Sequence, residues 1–283
     1  DMVDGGPGED TADYSESLDP IIVDLNKADS QVFAGEDIDT LIDIENLVGS
    51  DFDDFIIDGQ NEHELTGRSG NDFFQISSGG LTTITDLSSG DNFFVEEGAS
   101  LVAQISNDYA ATASTSNFGN TTVQASDEGS IIDLSLSAGV GYTILGGADN
   151  DVLIGSSSDD ILIGGDGSDT FIVNSGQDSV LGMSTGDILQ VAPGAEVLVY
   201  NVKNFTATDE TKNLGIARRS RSETFIECQP YLLSSKNIGL LWILFSYEAL
   251  KKGGYIEEIL YNSKRFAIDI AEKLKERIYE KVV

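Results

Sequence analysis

Large apolar residues recur every nine positions at Leu153, Leu162, Phe171, Val180 and Leu189. Each follows an aspartate by two residues: Asp151, Asp160, Asp169, Asp178 and Asp187. A nine-residue period fits neither the 3.6-residue repeat of a helix nor the plain alternation of a long strand. It fits a chain wound in short strands, each giving an inward side chain, with a tight glycine-bearing turn between them. From Gly146 the rows read GGADNDVLI, GSSSDDILI, GGDGSDTFI, VNSGQDSVL and GMSTGDILQ. The apolar residue at position eight is expected on a strand, facing the interior. The predicted fold class is mainly β: parallel β-roll (β-helix) segments with β caps, plus an α-helical C-terminal tail.

The pattern recurs upstream. Residues 5–13 read GGPGEDTAD, with Asp10 at position six. Residues 34–42, 49–57 and 67–75 place Asp39, Asp54 and Asp72 there. Asp1 lies nine residues before Asp10, so the chain opens inside a repeat, without initiator methionine or signal peptide, as expected of a piece of a longer protein. SSGDNFFVEEGA (88–99) aligns without a gap to STGDILQVAPGA (184–195), so the acidic part reads as a duplication. The expected domains are a first array with its cap (1–99), a Ser/Thr/Asn-rich β linker (100–145), a second roll with its cap (146–202) and a tail (203–283). Alternation through Ile131, Ile132, Asp133, Leu134, Ser135 and Leu136 predicts strands in the linker.

The tail has another pattern. Ile256, Ile259, Leu260, Phe266, Ala267, Ile270, Leu274 and Ile278 recur at helical spacing, predicting an amphipathic helix over 255–282. IGLLWILFSY (238–247) is too short to span a membrane and predicts a buried helix, with Gly253-Gly254 between the two. Three readings stand for the tail: a secretion signal, an unrelated segment joined to the repeats, or part of an enzyme. Ser234-Ser235-Lys236-Asn237-Ile238-Gly239-Leu240 resembles the lysine segment of aspartate-aminotransferase-type pyridoxal-phosphate enzymes, which implies a Schiff base at Lys236. The arginine that follows in that motif is absent, and so is a cofactor-binding body.

The third row, GGDGSDTFI, meets the nonapeptide pattern G-G-x-G-x-D-x-U-x at every specified position, U being a large apolar residue. Its glycines turn the backbone so that carbonyl oxygens point inward, and position six adds a carboxylate. Such hard oxygen donors suit Ca²⁺ rather than a transition metal. In DGQNEHELT (58–66) His63, the single histidine, stands where aspartate belongs; with no Cys or His partner it reads as a decayed repeat. The rows resemble the repeats-in-toxin (RTX) family of secreted, hemolysin-type proteins. That resemblance implies that each Ca²⁺ lies between alternate turns, shared by Asp151 with Asp169, Asp160 with Asp178 and Asp169 with Asp187. It also implies that carbonyls near Gly146, Gly155 and Gly164 complete the shells.

Charge sharpens this picture. The chain carries a net −33, with only Lys27 and Arg68 against 38 acids in residues 1–202, and 14 basic against 11 acidic residues thereafter. The first part is therefore −36 and the second +3. Such an acidic body argues against nucleic acid or an anionic membrane surface as partner. Two carboxylates about 5 Å apart repel by roughly 3 kcal/mol at an effective dielectric of about 20. Stacked acid turns are therefore expected to be largely unfolded without cation, so that Ca²⁺ binding becomes folding energy. The RTX resemblance implies the use: export through a type I secretion apparatus, then folding outside in a Ca²⁺-rich medium. An alternative is a Ca²⁺-stiffened spacer of an adhesin or surface protein. A single cysteine, Cys228, rules out an internal disulfide, and one histidine leaves no convincing catalytic constellation, so no enzyme activity is expected.

Overall fold

The computed structural model describes residues 1–26, 30–34, 37–77, 79–126 and 128–200, and the backbone of 216–219. The helices expected in the tail, with Cys228 and Lys236, lie outside the described residues. The rest is a parallel β-solenoid built on one long sheet. Its eleven strands run in the order Thr11–Asp13, Asn46–Val48, His63–Thr66, Leu81–Leu87, Ser100–Ile105, Asn120–Gln124, Thr143–Gly147, Ile161–Gly165, Gln177–Leu181, Glu196–Tyr200 and Ile216–Arg219. Among the described residues no helix is long and apolar enough to cross a membrane.

The inward column of this sheet is continuous. Leu47, Leu65, Ile84, Ala103, Val123, Ile144, Leu162 and Val180 are stacked in direct register, all fully buried. Successive strand residues point to opposite faces, so one apolar residue per turn suffices to fill the interior. Facing this column are two further sheets. A nine-stranded sheet supplies Ile56, Phe74 and Phe93, and a five-stranded sheet (Tyr109–Ala110 to Ile188–Val191) supplies Ile132, Leu153, Phe171 and Leu189. All five position-eight residues of the nine-residue clock are buried.

The segments expected as linker and caps are strands of the same sheets. Asn92–Val95 and Ile188–Val191 continue the nine- and five-stranded sheets. Across 100–145 each turn contributes three strands rather than two, because the nine- and five-stranded sheets overlap there. The register steps by 20 from Leu101 to Thr121 and by 21 from Thr122 to Thr143, against 18 from Thr143 to Ile161. The wider bore is filled by aromatics: Phe93 lies 6.2 Å from Tyr109 and 6.3 Å from Tyr142, ring centre to ring centre. The roll also has an antiparallel insertion, Ile21–Asp24 with Ser30–Ala34 with Asp37–Ile42.

Candidate metal centre

Each turn aspartate uses one oxygen for the fold. Asp169 Oδ1 accepts the backbone N–H of Asp151 at 3.0 Å, and Asp187 Oδ1 that of Asp169 at 3.0 Å. Asp178 Oδ1 accepts the N–H of Asp160 at 2.9 Å on the opposite edge. A third ladder runs in the first array, with Asp72 Oδ1 on the N–H of Asp54 and Asp91 Oδ1 on that of Asp72, both at 2.9 Å. The ladders begin on Ser130, Tyr142 and Ile21, whose N–H groups reach Asp151, Asp160 and Asp54. The chain is only entering its strand at these positions, so the N–H has no strand partner, and burying it unpaired would cost about 1–3 kcal/mol. The carboxylate of the next stacked turn, 18 or 19 residues on within the ladders, supplies the acceptor. An acid at position six is thus a structural part of the turn.

The second oxygen divides the turns into two kinds. Oδ2 of Asp10, Asp72, Asp151, Asp169 and Asp178 is buried without a hydrogen-bond partner. Buried polar atoms are almost always paired, and an unpaired carboxylate oxygen is the most costly case. Burial pushes Asp151 and Asp169 up to about 6, Asp178 to about 7 and Asp72 to about 8, with backbone hydrogen bonds pulling the other way and neighbouring acids adding to the rise. Each of these carboxylates needs a proton or a cation.

The space beside these oxygens is kept open by glycine. A Cβ on Gly146 would lie 2.5 Å from Asp151 Oδ2 and against the Gly164 carbonyl oxygen. One on Gly164 would strike Asp169 Oδ2, and one on Gly67 would strike Asp72 Oδ2. At Gly155 the same spot lies 2.8 Å from Asp160 Oδ2 and 3.4 Å from Asp178 Oδ2, so two alternate turns converge there. Carboxylate and carbonyl oxygens around a glycine-sized space form a hard-donor cradle suited to Ca²⁺. No three His, Cys, Asp or Glu side chains form a metal-sized cluster among the described residues, so a cation held there would draw much of its shell from carbonyls.

The remaining turns close on themselves. Ser156 gives Asp160 Oδ2 its N–H at 2.6 Å and its hydroxyl at 3.0 Å. Ser50 gives Asp54 Oδ2 its N–H at 2.7 Å and Oδ1 its hydroxyl at 2.6 Å. Asp187 Oδ2 accepts the N–H of Ser184, and Asp91 Oδ2 that of Ser88. Asp39 stands apart: it lies within the strand Asp37–Ile42, opposite Val32, and accepts the Tyr14 hydroxyl at 3.1 Å. The spacing of AGEDIDTLI is matched by a hairpin arm, not a roll turn. Asp10 has its glycine, Gly5, but its ladder partner is Glu45, whose Oε2 accepts the Asp10 N–H at 3.0 Å. His63 is buried, with Nδ1 2.5 Å from the Glu45 carbonyl.

Two buried acids escaped the sequence reading. Asp91 completes the ladder of the first array, and the alignment of 88–99 with 184–195 already paired it with Asp187. Asp58 is held by the Ser77 N–H and the Thr82 hydroxyl. It occupies position one of a row, where the pattern asks for glycine, and no sequence signal pointed to it.

Residues 143–180 match the family model described as RTX calcium-binding nonapeptide repeat (4 copies). These repeats bind Ca²⁺. The match spans the Asp151, Asp160, Asp169 and Asp178 turns, where the orphaned oxygens and glycine cradles of the second roll lie. No curated protein matches the chain.

Proposed function

We propose that this RTX repeat protein uses Ca²⁺ as the last component of its own fold, at the turns of Asp151 and Asp169 in the second roll and of Asp72 in the first. The observation that carries this reading is the set of buried, unpartnered Oδ2 atoms, each beside a glycine-sized space. Asp151 Oδ2 and the Gly164 carbonyl would face one ion, and Asp169 Oδ2 a second. Asp10 stands in a comparable turn at the N-terminal end.

The energetic consequence is linkage. Ca²⁺ binds the folded roll and not the unfolded chain, so each site adds about 1.4 kcal/mol at ten times its dissociation constant. Extracellular Ca²⁺ modules work near 10⁻⁴–10⁻³ M, so the roll stays loose in a Ca²⁺-poor cytosol and sets in a Ca²⁺-rich exterior. This fits a secreted protein exported unfolded through a type I secretion apparatus, with no catalytic role for the repeats. Circular dichroism tests the coupling. Millimolar CaCl₂ added to chelated protein raises the β signal strongly, and MgCl₂ does not, because Mg²⁺ demands a tighter octahedral shell. An equal β signal with and without Ca²⁺ overturns the coupling.

A further inference from the structure

The turns differ in one position that decides whether an oxygen is left over. Where an orphaned Oδ2 belongs to a turn that opens on its own glycine, the residue after that glycine has positive φ: Gly147 at 101°, Gly165 at 99°, Arg68 at 74° and Gly6 at 78°. Asp178, orphaned as well, lies in a row that opens on Val173 and has no such glycine. Where that residue is serine, in the turns of Gly49 and Gly155, φ is not positive and the serine N–H closes on the aspartate of its own turn. We propose that serine at the second position is a latch that takes the place of the ion, so that the roll alternates metal-loaded and metal-free turns. This rests on the Ca²⁺ reading above and adds which turns decline the ion.

The latch is most complete at Asp160. Its Oδ1 accepts the Tyr142 N–H at 2.7 Å, and Ser156 meets both lone pairs of Oδ2 with an N–H and a hydroxyl. A carboxylate bonded this way has its charge spread over several donors, and a cation entering there would have to strip them off. The latched turn lies in sequence between the open turns of Gly146 and Gly164. It is a turn that can form before any ion arrives, on which the neighbouring turns can be laid.

Calorimetric Ca²⁺ titration of the full chain reads the partition directly. Ser156→Gly frees Asp160 Oδ2 and raises the stoichiometry by one ion per chain; Asp160→Asn leaves the wild-type stoichiometry unchanged, and Asp169→Asn lowers it by one. An unchanged stoichiometry in Ser156→Gly, or the loss of an ion in Asp160→Asn, each overturns the latch by itself. A wild-type chain that takes up no Ca²⁺ would instead remove the functional reading beneath it.

Discussion

Protons should be able to replace Ca²⁺. In the metal-free roll Asp151 and Asp169 are pushed up by burial to about 6, Asp178 to about 7 and Asp72 to about 8, from 3.8 in each case. A carboxyl whose folded-state pKa is raised keeps its proton while the unfolded chain has released it. The folded state then binds more protons, and stability falls as pH rises from about 4 through the folded pKa values. One pKa unit corresponds to about 1.4 kcal/mol. With allowance for screening at the roll edge, each of the four carboxyls costs about 1–2 kcal/mol when forced to ionise. Together they cost about 4–8 kcal/mol, comparable with the roughly 5–15 kcal/mol that holds an ordinary domain. Metal-depleted protein followed by circular dichroism from pH 8 to pH 5 should therefore gain β signal on acidification, while staying above its isoelectric point of about 4.1. A combined Asp151→Asn, Asp169→Asn and Asp178→Asn variant, lacking the charges, should flatten that dependence. A β signal that is unchanged or weaker at pH 5 would refute the reasoning. Ca²⁺ affinity should move the opposite way and fall on acidification, because protons compete for the same oxygens.

Two substitutions probe the cradle and the core separately. Gly146→Ala puts a methyl group against Asp151 Oδ2 and the Gly164 carbonyl; calorimetry should show one ion fewer while the other sites fill, and full stoichiometry would show that the cradle is elsewhere. Phe171→Ala empties a buried position between Leu153 and Leu189 in the five-stranded sheet. It should cost about 3–5 kcal/mol, read as a lower denaturation midpoint in saturating Ca²⁺ with stoichiometry retained, and a loss under about 1 kcal/mol would contradict the packing described.

The second roll was legible because one turn carries one apolar residue and one acid, so a period in sequence becomes a column in space. Leu153, Phe171 and Leu189 form one such column and Leu162 with Val180 another. The same logic misled at Asp39, where aspartate at the right spacing belongs to a strand paired backwards with its neighbour. Periodicity counts residues and cannot tell a parallel coil from a hairpin. The stretch 100–145 hid its place in the solenoid because its turns take 20 and 21 residues and carry no acid clock. For Asp151, Asp160 and Asp169 the division between orphaned and latched aspartates was written in the sequence as Gly-Gly against Gly-Ser, while the open turn of Asp72 carries Gly67-Arg68. Its meaning needed the hydrogen bonds, because serine is common in any turn.

A crystal structure grown in millimolar CaCl₂, with anomalous scattering used to identify the ions, tests the central claim most directly. The account predicts Ca²⁺ beside Asp151 Oδ2 and the Gly164 carbonyl, and beside Asp169 Oδ2, with none at the Ser156-latched turn. Water alone at the Asp151 and Asp169 turns would contradict it.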